Sequence, residues 1–461
     1  MVTLKSFLGM IAAVPFIMAC NQTGQVNATL FPASGSENVN PDTHLVLTFS
    51  ETPVLGDSGM IRVYDAVTDQ VVDSLDLSIP SGPTESRTYD PECDYTKVPY
   101  DYTRTVMPTN KDTRPGTPSG TAEPTPPVYQ LTIIGGFTDA FHFYPVIVRD
   151  SIATIYLHNN MLEYGHTYYV TIDNGVLNLA DGSFQGVTKE DEWTFTTKSD
   201  MPELSDTLIV DATGKGDFNT VQGALDFIPD FNEQQTVILV NPGDYEELVY
   251  TRNKWNVKIK GAGMADTKVH YANNEVFNPH PLTVKTNEWP GTFPSRRAAF
   301  MLDNCKDIVI EDMTIATDLK GQAEGLLING ERIALYRVHI IGSGDALQAN
   351  GTIYMESCEL DGGGDTILGR GSLFAYKSNF RIGGGPFSWV RNTAGNHGNV
   401  FVECTFSTED GKQADYGRTK SNHGSAYPDA EFVLIDCKVK NIIPEGWSSI
   451  GAKTAKMYEY N

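Results

Sequence analysis

The sequence predicts an all-β protein in which a β-sandwich domain precedes a right-handed parallel β-helix. Two observations support this prediction. Short runs rich in β-branched and aromatic residues fill the N-terminal part of the chain, which is typical of strands. From Ile308 onward, strand-like segments of eight residues recur at intervals of 20 to 33 residues, with no helical stretch between them. Strands that recur at such intervals indicate a solenoid.

The length and charge of the chain narrow the classes of function. A chain of 461 residues is too long for one ordinary core, so we expect more than one domain. Hydrophobic residues make up 40%, which is normal for a folded protein. The net charge of −24 excludes a nucleic-acid partner, because nothing offsets repulsion by phosphate. An anionic polysaccharide is still compatible, since a cationic cleft can lie on an acidic body.

Residues 1–19 have the features of an export signal. Lys5 is the only early charge, and the apolar run that follows is too short to span a bilayer. The sequence Ile17-Met18-Ala19-Cys20 resembles a bacterial lipobox, which implies that Cys20 is lipidated and becomes the mature N-terminus. Asn21 then favours the outer membrane. We expect an outer-membrane lipoprotein on the periplasmic face or the cell surface; the alternative is a plain secretory signal with an incidental cysteine.

Residues 20–199 are predicted to form the β-sandwich, and they resemble the Ig-like domains of bacterial surface proteins. The strand-like runs are LVLTFSE, MIRVYD, YQLTII, TIYLHN, YYVTID and EWTFTTK. An insertion at about 81–127 is dense in Pro, Thr, Asp and Tyr, and we interpret it as a long irregular loop. Its residues Tyr95, Tyr100 and Tyr102 offer the alternative of a sugar-binding loop. The domain contains no recognisable catalytic motif, so we expect it to act as a spacer or a weak binding module.

Residues 206–461 are predicted to form the β-helix, after an opening strand, a glycine-rich turn and an amphipathic helix from about Thr220. The repeated segments are IVIEDMTI from Ile308, IALYRVHI from Ile333, IYMESCEL from Ile353, LFAYKSNF from Leu373, NVFVECTF from Asn399 and FVLIDCKV from Phe432. Three cysteines share the sixth position of these segments, and we expect them to stack inside the coil as small apolar fillers. The odd number of cysteines after Cys20 implies no complete disulfide framework, and the lack of a CxxC spacing gives no support to a zinc site.

Two turns of the predicted solenoid have nearly the same sequence, IIGSGDAL and LDGGGDTIL. Asp345 and Asp365 each come twelve residues after the start of a segment, at Ile333 and Ile353. Equal register in adjacent rungs would place the two carboxylates about 4.8 Å apart. Two carboxylates that close have separated pKa values, as acid–base plus nucleophilic catalysis requires. The alternative is a pair of ordinary turn aspartates in glycine-rich bends.

The sequence from Leu208 to the C-terminus resembles the pectin methylesterase (pectinesterase) family. The motifs that carry the resemblance are GKGDFNTVQGALDFIP, NPGDYEE, GQAEGLLING, GDAL, DTILG, YGRTK and IPEGW. The resemblance implies that Asp365 is the nucleophile and Asp345 the general acid/base. It also implies that Gln322 donates to the oxyanion and that Arg418 orients and stabilises the nucleophilic carboxylate.

The reaction implied by the resemblance is hydrolysis of the methyl esters of galacturonate units in pectin, which releases methanol and a free carboxylate. Neither a metal nor an organic cofactor is needed. The expected partner is methylesterified pectin or a pectic oligosaccharide, and the protein is expected to be a monomer.

The chain departs from the family at Gly344, where a glutamine would be a second oxyanion donor. Losing such a donor typically costs about 2.7–4 kcal/mol of transition-state stabilisation. A backbone N–H near Gly344 or the side chain of Gln348 could substitute. If residue 344 faces the cleft beside Gln322, a glutamine there is expected to raise kcat.

The expected sugar contacts also differ from those of the family, because Thr366 and Lys420 stand where aromatic residues are usual. Trp389 and Tyr416 are candidate replacements, although Trp389 could equally be structural. Lys420 adds a charge suited to uronates, or is an ordinary solvated lysine. Trp447 in the IPEGW motif completes the predicted substrate-binding set.

Two other functions are compatible with the sequence. One is another pectin-active β-helix enzyme, because carboxylates about 5 Å apart also suit a retaining glycoside hydrolase. A lyase would need a calcium cluster, which the sequence does not assemble. The other is a catalytically impaired pectin-binding lipoprotein, suggested by Gly344, Thr366 and Lys420. Release of methanol, of new reducing ends or of unsaturated product distinguishes the enzymes.

Overall fold

The structure is a computed structural model that describes residues 26–84, 129–137, 140–204, 207–278, 296–419, 427–448, 450–451 and 453–460. Several sequence predictions lie outside these residues: the signal at 1–19, the lipidation site Cys20, nearly all of the insertion with its three tyrosines, and Lys420.

The N-terminal domain consists mainly of two β-sheets, of four strands (β1-β3-β10-β9) and five strands (β2-β13-β11-β5-β6). Its strands are β1 Thr29–Phe31, β2 Ser36–Val39, β3 Leu45–Thr48, β4 Val54–Leu55, β5 Met60–Asp65, β6 Gln70–Asp76, β7 Leu131–Thr132, β8 Phe141–His142, β9 Val146–Arg149, β10 Ile152–Ile155, β11 Thr167–Ile172, β12 Leu177–Asn178 and β13 Thr194–Thr197. Alternate residues of β5, such as Ile61 and Val63, are buried, as expected for strands with one face on a core. The β-sandwich is therefore confirmed, and its Ig-like character stays a prediction.

The C-terminal domain begins with a strand and the predicted helix, followed by a run of parallel strands. The elements are β14 Thr207–Val210, α1 Val221–Phe227, β15 Thr236–Val240, β16 Gly243–Glu246, β17 Val249–Arg252, β18 Trp255–Lys260, β19 Thr267–Tyr271, β20 Phe300–Thr317, β21 Leu326–Ile341, β22 Leu347–Glu356, β23 Glu359–Gly362, β24 Ile367–Gly369, β25 Ser372–Tyr376, β26 Asn379–Ile382, β27 Gly385–Val390, β28 Asn399–Val402, β29 Thr405–Thr408, β30 Ala414–Arg418, β31 Glu431–Ile435, β32 Lys438–Val439 and β33 Lys456–Tyr460. Thr220 caps α1, because its side chain accepts a hydrogen bond from the backbone N–H of Gly223.

The twenty strands β14 to β33 form one sheet that coils into a parallel β-helix. All six repeated segments pair in the predicted register: Ile308 with Ile333, Ile333 with Ile353, Ile353 with Leu373, Leu373 with Asn399, and Asn399 with Phe432. The same column begins earlier, with β14, β15 and Val257 of β18, and it continues to Met457 of β33. The prediction of a parallel β-helix is confirmed.

The cysteines of the repeat lie inside the coil, as predicted. Cys358 and Cys404 are fully buried, and Cys437 packs against the same core. All three are free thiols. Burial raises the pKa of the Cys358 thiol to about 11, so this group stays protonated and unreactive at neutral pH. Cys358 and Cys404 therefore act as apolar fillers, whereas the pKa of the partly buried Cys437 is lowered to about 7 by its hydrogen bond with Cys404.

The two domains share a hydrophobic cluster. Its members are Ile134, Phe137 and Phe141 of the N-terminal domain and Leu248, Tyr250, Tyr271, Phe277, Ala298, Ala299, Met301 and Leu327 of the β-helix. At a second contact, the carboxylate of Asp42 accepts hydrogen bonds from the backbone N–H groups of Asn219 and Thr220 before α1. The domains therefore pack together through both apolar and polar contacts.

Candidate active site

Asp345 and Asp365 lie side by side on adjacent rungs. Each comes two residues before a buried residue, and these residues, Leu347 and Ile367, pair directly in β22 and β24. Equal register in neighbouring rungs puts the carboxylates about one strand spacing, roughly 4.8 Å, apart. Asp365 has a φ of 47°, in the left-handed region that aspartate tolerates better than most residues. Its N–H donates to the carbonyl of Pro386 at 2.7 Å, which fixes this turn.

Arg418 holds the carboxylate of Asp365 from β30. Its Nε donates to Oδ1 at 2.9 Å, and a terminal nitrogen contacts Oδ2, so the contact is bidentate. Both side chains are mostly buried, at 14% and 19% exposed. A bidentate guanidinium–carboxylate pair is strong and directional. It leaves Asp365 with a fixed orientation toward the cleft.

Asp345 has an unusually high proton affinity. Burial raises its pKa to about 7, Arg297 opposes the rise, and the nearby carboxylates of Glu324 and Asp365 add to it. Only 7% of the residue is exposed. A carboxyl group with this pKa is available as an acid near neutral pH and can also return as a base.

Glu324 is a third carboxylate of the same column, which the sequence analysis missed. Leu326 pairs with Leu347, so Glu324 has the same offset in its rung as Asp345 has in the next. The signal was available, since E-G-L, D-A-L and D-T-I recur at intervals of 21 and 20 residues. We call Glu324, Asp345 and Asp365 the carboxylate column.

Arg297 binds two members of the carboxylate column, Glu324 and Asp345, and no sequence motif predicted it. Its guanidinium donates to the fully buried Glu324 at 2.9, 2.9 and 2.7 Å. A terminal nitrogen reaches Asp345 Oδ2 at 2.6 Å. Another donates to the amide oxygen of Gln322, an exposed residue at the edge of the site. Because only the amide oxygen can accept from a cation, the Gln322 NH₂ group is left for another acceptor.

Gly344 lies beside Gln322, as expected, but its surroundings are tighter than the sequence suggested. A Cβ at this position would lie 2.9 Å from the carbonyl oxygen of Gly321 and 3.8 Å from the Cα of Gln322. The N–H of Gly344 already donates to Gly321 O at 2.8 Å. This N–H is therefore already used, and donation by another backbone N–H near Gly344 or by Gln348 stays a prediction.

A row of outward-facing residues runs beside the carboxylate column. Gln348, Leu368, Trp389 and Arg418 pair in register across four rungs. Gln348 therefore remains a candidate donor at the cleft. The guanidinium of Arg418 lies 4.1 Å from the centre of the Trp389 ring, and that of Arg391 lies 4.4 Å from it. Trp389 thus supports the arginine that holds Asp365, in addition to its predicted sugar contact.

Tyr416 does not face the cleft, so its predicted sugar contact is wrong. It is 3% exposed and packs inside the coil against Phe406, Phe432 and Trp447. Trp447 is partly buried, and its ring packs on Tyr416 and Phe432 with centroids 5.0 Å away. The structure therefore gives Trp447 a packing role in the end of the core.

Arg391 is another cation that the sequence analysis missed. It is 4% exposed, and within the part of the chain that the structure describes its Nε is buried without a hydrogen-bond partner. Burial lowers its pKa to about 10, and the neighbouring Arg370 lowers it further, but the group stays charged at neutral pH. Arg297 and Arg418 are paired with carboxylates, so the three arginines offset the acidic charge of the carboxylate column.

Among the described residues, one group of potential metal ligands occurs elsewhere, formed by Glu246, His270 and Asp318. His270 Nδ1 lies 2.5 Å from Asp318 Oδ2, and Arg149 donates to Glu246. These contacts describe an ion-pair network in which Arg149 already supplies the positive charge. The group therefore gives no support to a metal centre.

Sequence comparison shows that the chain is similar to plant pectinesterases. Pectinesterase QRT1 of Arabidopsis thaliana is 29% identical over 255 residues, 52% of this chain and 64% of that protein. Pectinesterase 31 of the same plant is 25% identical over 264 residues, 54% of this chain and 80% of that protein. The match thus spans less than two thirds of the length of the first relative.

Two solved structures are also similar. A pectin methylesterase from carrot is 17% identical, with 54% of this chain and 90% of that chain covered and a TM-score of 0.43. One from Aspergillus niger is 19% identical, with 57% and 86% covered and a TM-score of 0.46. The Pectinesterase family model matches residues 207–457, more than half of the sequence. The chain therefore belongs to the pectinesterase family.

Proposed function

We propose that the protein is a carboxylic ester hydrolase that removes methyl groups from galacturonate units of pectin. The observation that carries the proposal is the pairing of two unlike carboxyl groups in one column. Asp365 is oriented by Arg418, and Asp345, with a pKa raised to about 7, can hold a proton beside it. Membership of the pectinesterase family supports the same reaction.

In the first half of the reaction, a carboxylate oxygen of Asp365 attacks the ester carbonyl carbon. The carbonyl oxygen becomes an oxyanion, and the free NH₂ of Gln322 donates to it. The tetrahedral intermediate collapses with cleavage of the bond to the methoxy oxygen. Asp345 transfers its proton to that oxygen, and methanol leaves an acyl group on Asp365.

In the second half, Asp345 is a carboxylate and acts as the base. It takes a proton from a water molecule, whose oxygen attacks the acyl carbon. The bond to Asp365 breaks, which frees the galacturonate carboxyl group and restores both aspartates to their starting states. Arg418 stabilises the carboxylate of Asp365 as it leaves.

The charge distribution supports an anionic polymer as the substrate. Arg297, Arg391 and Arg418 lie close to the carboxylate column of a chain with a net charge of −24. Because Arg297 and Arg418 are paired with carboxylates of the column, these arginines reduce the local repulsion of uronates by a protein that is acidic as a whole. Methylesterified pectin carries both free carboxylates and the methyl esters that the column would cleave.

We also propose that the protein is anchored to the outer membrane by a lipid on Cys20. The lipobox-like sequence at residues 17–20 supports this proposal. No helix among the described residues is long and apolar enough to cross a membrane. The proposed anchor, suggested by the lipobox-like sequence alone, consists of acyl chains on Cys20.

Analysis of the products tests the proposed activity against the alternatives. The mature protein is incubated with highly methylesterified pectin, and methanol, reducing ends and unsaturated uronates are measured together. Methanol alone is expected. New reducing ends without methanol would identify a glycoside hydrolase, and unsaturated product a lyase. No product with any pectin, but retention of the polymer, would favour the binding protein.

A further inference from the structure

Arg297 lies in a short segment before β20 whose backbone is held on both sides by one side chain. The amide nitrogen of Asn273 donates to the carbonyl of Arg296 at 2.7 Å and to the carbonyl of Ala298 at 2.7 Å. Asn273 is fully buried. These two carbonyls flank Arg297, so Asn273 fixes the position from which its side chain extends to Asp345.

Asn273 is connected to the N-terminal domain by a second buried asparagine. The amide nitrogen of Asn278 donates to Asn273 Oδ1 at 3.0 Å and to the carbonyl of His142 at 3.1 Å. The backbone N–H of His142 donates in return to Asn278 Oδ1 at 2.8 Å. His142 belongs to β8, so a continuous path of buried hydrogen bonds runs from the sandwich domain to the backbone around Arg297.

Apolar and cationic contacts reinforce this path. The guanidinium of Arg296 lies 4.6 Å from the centre of the Phe141 ring and donates to the carbonyl of Ala140 at 2.9 Å. Phe141 also packs on Tyr250, with ring centroids 4.5 Å apart, and Tyr250 OH donates to Ala298 O at 2.9 Å. The residues on either side of Arg297 are therefore both held by groups in contact with the N-terminal domain.

We propose that the N-terminal domain is a positioning element of the active site, which holds Arg297 against Glu324, Asp345 and Gln322 through Asn278 and Asn273. This role differs from the spacer or weak binding module expected from the sequence. Its kinetic readout rests on the proposed esterase function. A shift of about 1 Å in a group that orients the reacting atoms can lower a rate by up to about a hundredfold.

The proposal predicts a defined change in the titration of Asp345. The charged groups that face Asp345 are Arg297 and Arg391, which lower its pKa, Glu324 and Asp365, which raise it, and Arg418, whose own pKa Asp345 raises. Loosening Arg297 weakens a lowering influence, so the pKa of Asp345 rises. The alkaline limb of kcat/KM then moves to higher pH, and a purely structural defect would not move it.

The experiment is a double-mutant cycle in the full chain with Asn278→Ala and Arg297→Gln. Asn278→Ala is expected to lower kcat by about tenfold to a hundredfold with little change in KM. It should also move the alkaline limb in the same direction as Arg297→Gln. In the Arg297→Gln background it should cause no further shift. Phe141→Leu, which keeps an apolar side chain but removes the ring that contacts Arg296 and Tyr250, is a second variant with the same expected direction.

Asn159→Ala is the matched control. Asn159 also makes a contact between the domains, a hydrogen bond of 2.8 Å to Asp226, but it is not part of the path to Arg297. Asn159→Ala should leave the alkaline limb of kcat/KM at the wild-type pH even if it lowers the melting temperature of the protein. The proposal would be overturned if neither Asn278→Ala nor Phe141→Leu shifted the alkaline limb of kcat/KM. It would also be overturned if Asn278→Ala caused the same shift in the wild-type and the Arg297→Gln backgrounds.

A second readout separates this proposal from the esterase proposal. The pH dependence of stability in each variant, compared with the same variant carrying Asp345→Asn, reports the pKa of Asp345 without turnover. If the wild-type protein releases no methanol, the esterase proposal fails. The double-mutant cycle then relies only on the pKa of Asp345 obtained from the pH dependence of stability. A rise in the pKa of Asp345 in Asn278→Ala is still expected, and no rise would reject the positioning role.

Discussion

Arg297 and Asp345 form an ion pair at 2.6 Å although 48 residues separate them in the sequence. The ion pair connects Asp345, the proposed general acid, to residues 296–298, which contact both domains. Because Glu324 binds the same guanidinium, the charge next to Asp345 is balanced rather than purely cationic. This balance is compatible with a pKa near 7 for a carboxyl group that lies beside an arginine.

Substitutions of Arg297 and Glu324 should shift the pH profile in opposite directions. Wild-type kcat/KM should fall as pH rises through about 7, because Asp345 must be protonated to release methanol. Arg297→Gln removes a lowering influence and should move this limb upward; Glu324→Gln removes a raising influence and should move it downward. Profiles of kcat/KM from pH 4 to pH 10 measure both shifts, and equal shifts of the same sign would contradict the assignment.

The raised pKa of Asp345 also affects how the free energy of unfolding depends on pH. A carboxyl group whose folded pKa is raised keeps its proton to higher pH in the folded state than in the unfolded state. The free energy of unfolding therefore falls as pH rises from about 4 to about 7. Asp345→Asn should flatten this slope, which chemical denaturation at several pH values would show.

A side chain at position 344 should lower activity rather than raise it. The Cβ of Gly344→Ala would meet the Gly321 carbonyl at 2.9 Å, so the turn that carries Asp345 and Gln322 must shift. We expect a fall in kcat of tenfold or more for Gly344→Ala and Gly344→Gln, of about 1.4 kcal/mol or more in the barrier. Gly395→Ala is the control, since its nearest atom is at 3.8 Å. An increase in kcat for Gly344→Gln would restore the original expectation.

Tyr416 should contribute to stability and not to sugar binding. Tyr416→Ala would leave a cavity in the aromatic cluster of the coil and should cost about 3–5 kcal/mol of unfolding free energy. Tyr416→Phe keeps the ring and should leave KM for pectin unchanged. Urea unfolding and Michaelis–Menten kinetics check the two statements, and a severalfold rise in KM for Tyr416→Phe would return the residue to the cleft.

Cys20→Ala should release the protein from the membrane fraction without changing kcat or KM. The lipid anchor requires the cysteine thiol, whereas the carboxylate column lies in a separate domain. Fractionation of cells followed by a salt wash measures the effect. If the variant stays with the membranes after the wash, the lipobox interpretation is wrong.

The regular part of the molecule could be predicted because a parallel coil repeats its register in the sequence. The repeated segments from Ile308 to Phe432 pair in the predicted register, and the same register correctly predicted that Asp345 lies next to Asp365. Glu324 obeys the same rule and could have been found with them. Arg297 could not, because it lies before β20 and outside the repeated segments, so no register relates it to Asp345.

The position of Tyr416 departs from the usual alternation of inward-facing and outward-facing side chains along a strand. A simple alternation would put it on the same face as Arg418, two residues later. Tyr416 is in the interior instead, just as Phe387 is buried while Trp389 faces outward in the neighbouring rung. Both rungs break the alternation at the same place, and a single sequence does not reveal such a break.

The central claim is that Asp365 is the nucleophile, and methanol release by Asp365→Asn tests it most directly. The substitution keeps the shape of the side chain and removes the attacking carboxylate. Asp361→Asn is the matched control, because Asp361 is a nearby carboxylate paired with Arg381 and outside the column. The account predicts loss of more than a thousandfold in kcat for Asp365→Asn, roughly 4 kcal/mol, and near wild-type turnover for Asp361→Asn. Turnover within tenfold of wild type by folded Asp365→Asn would contradict it.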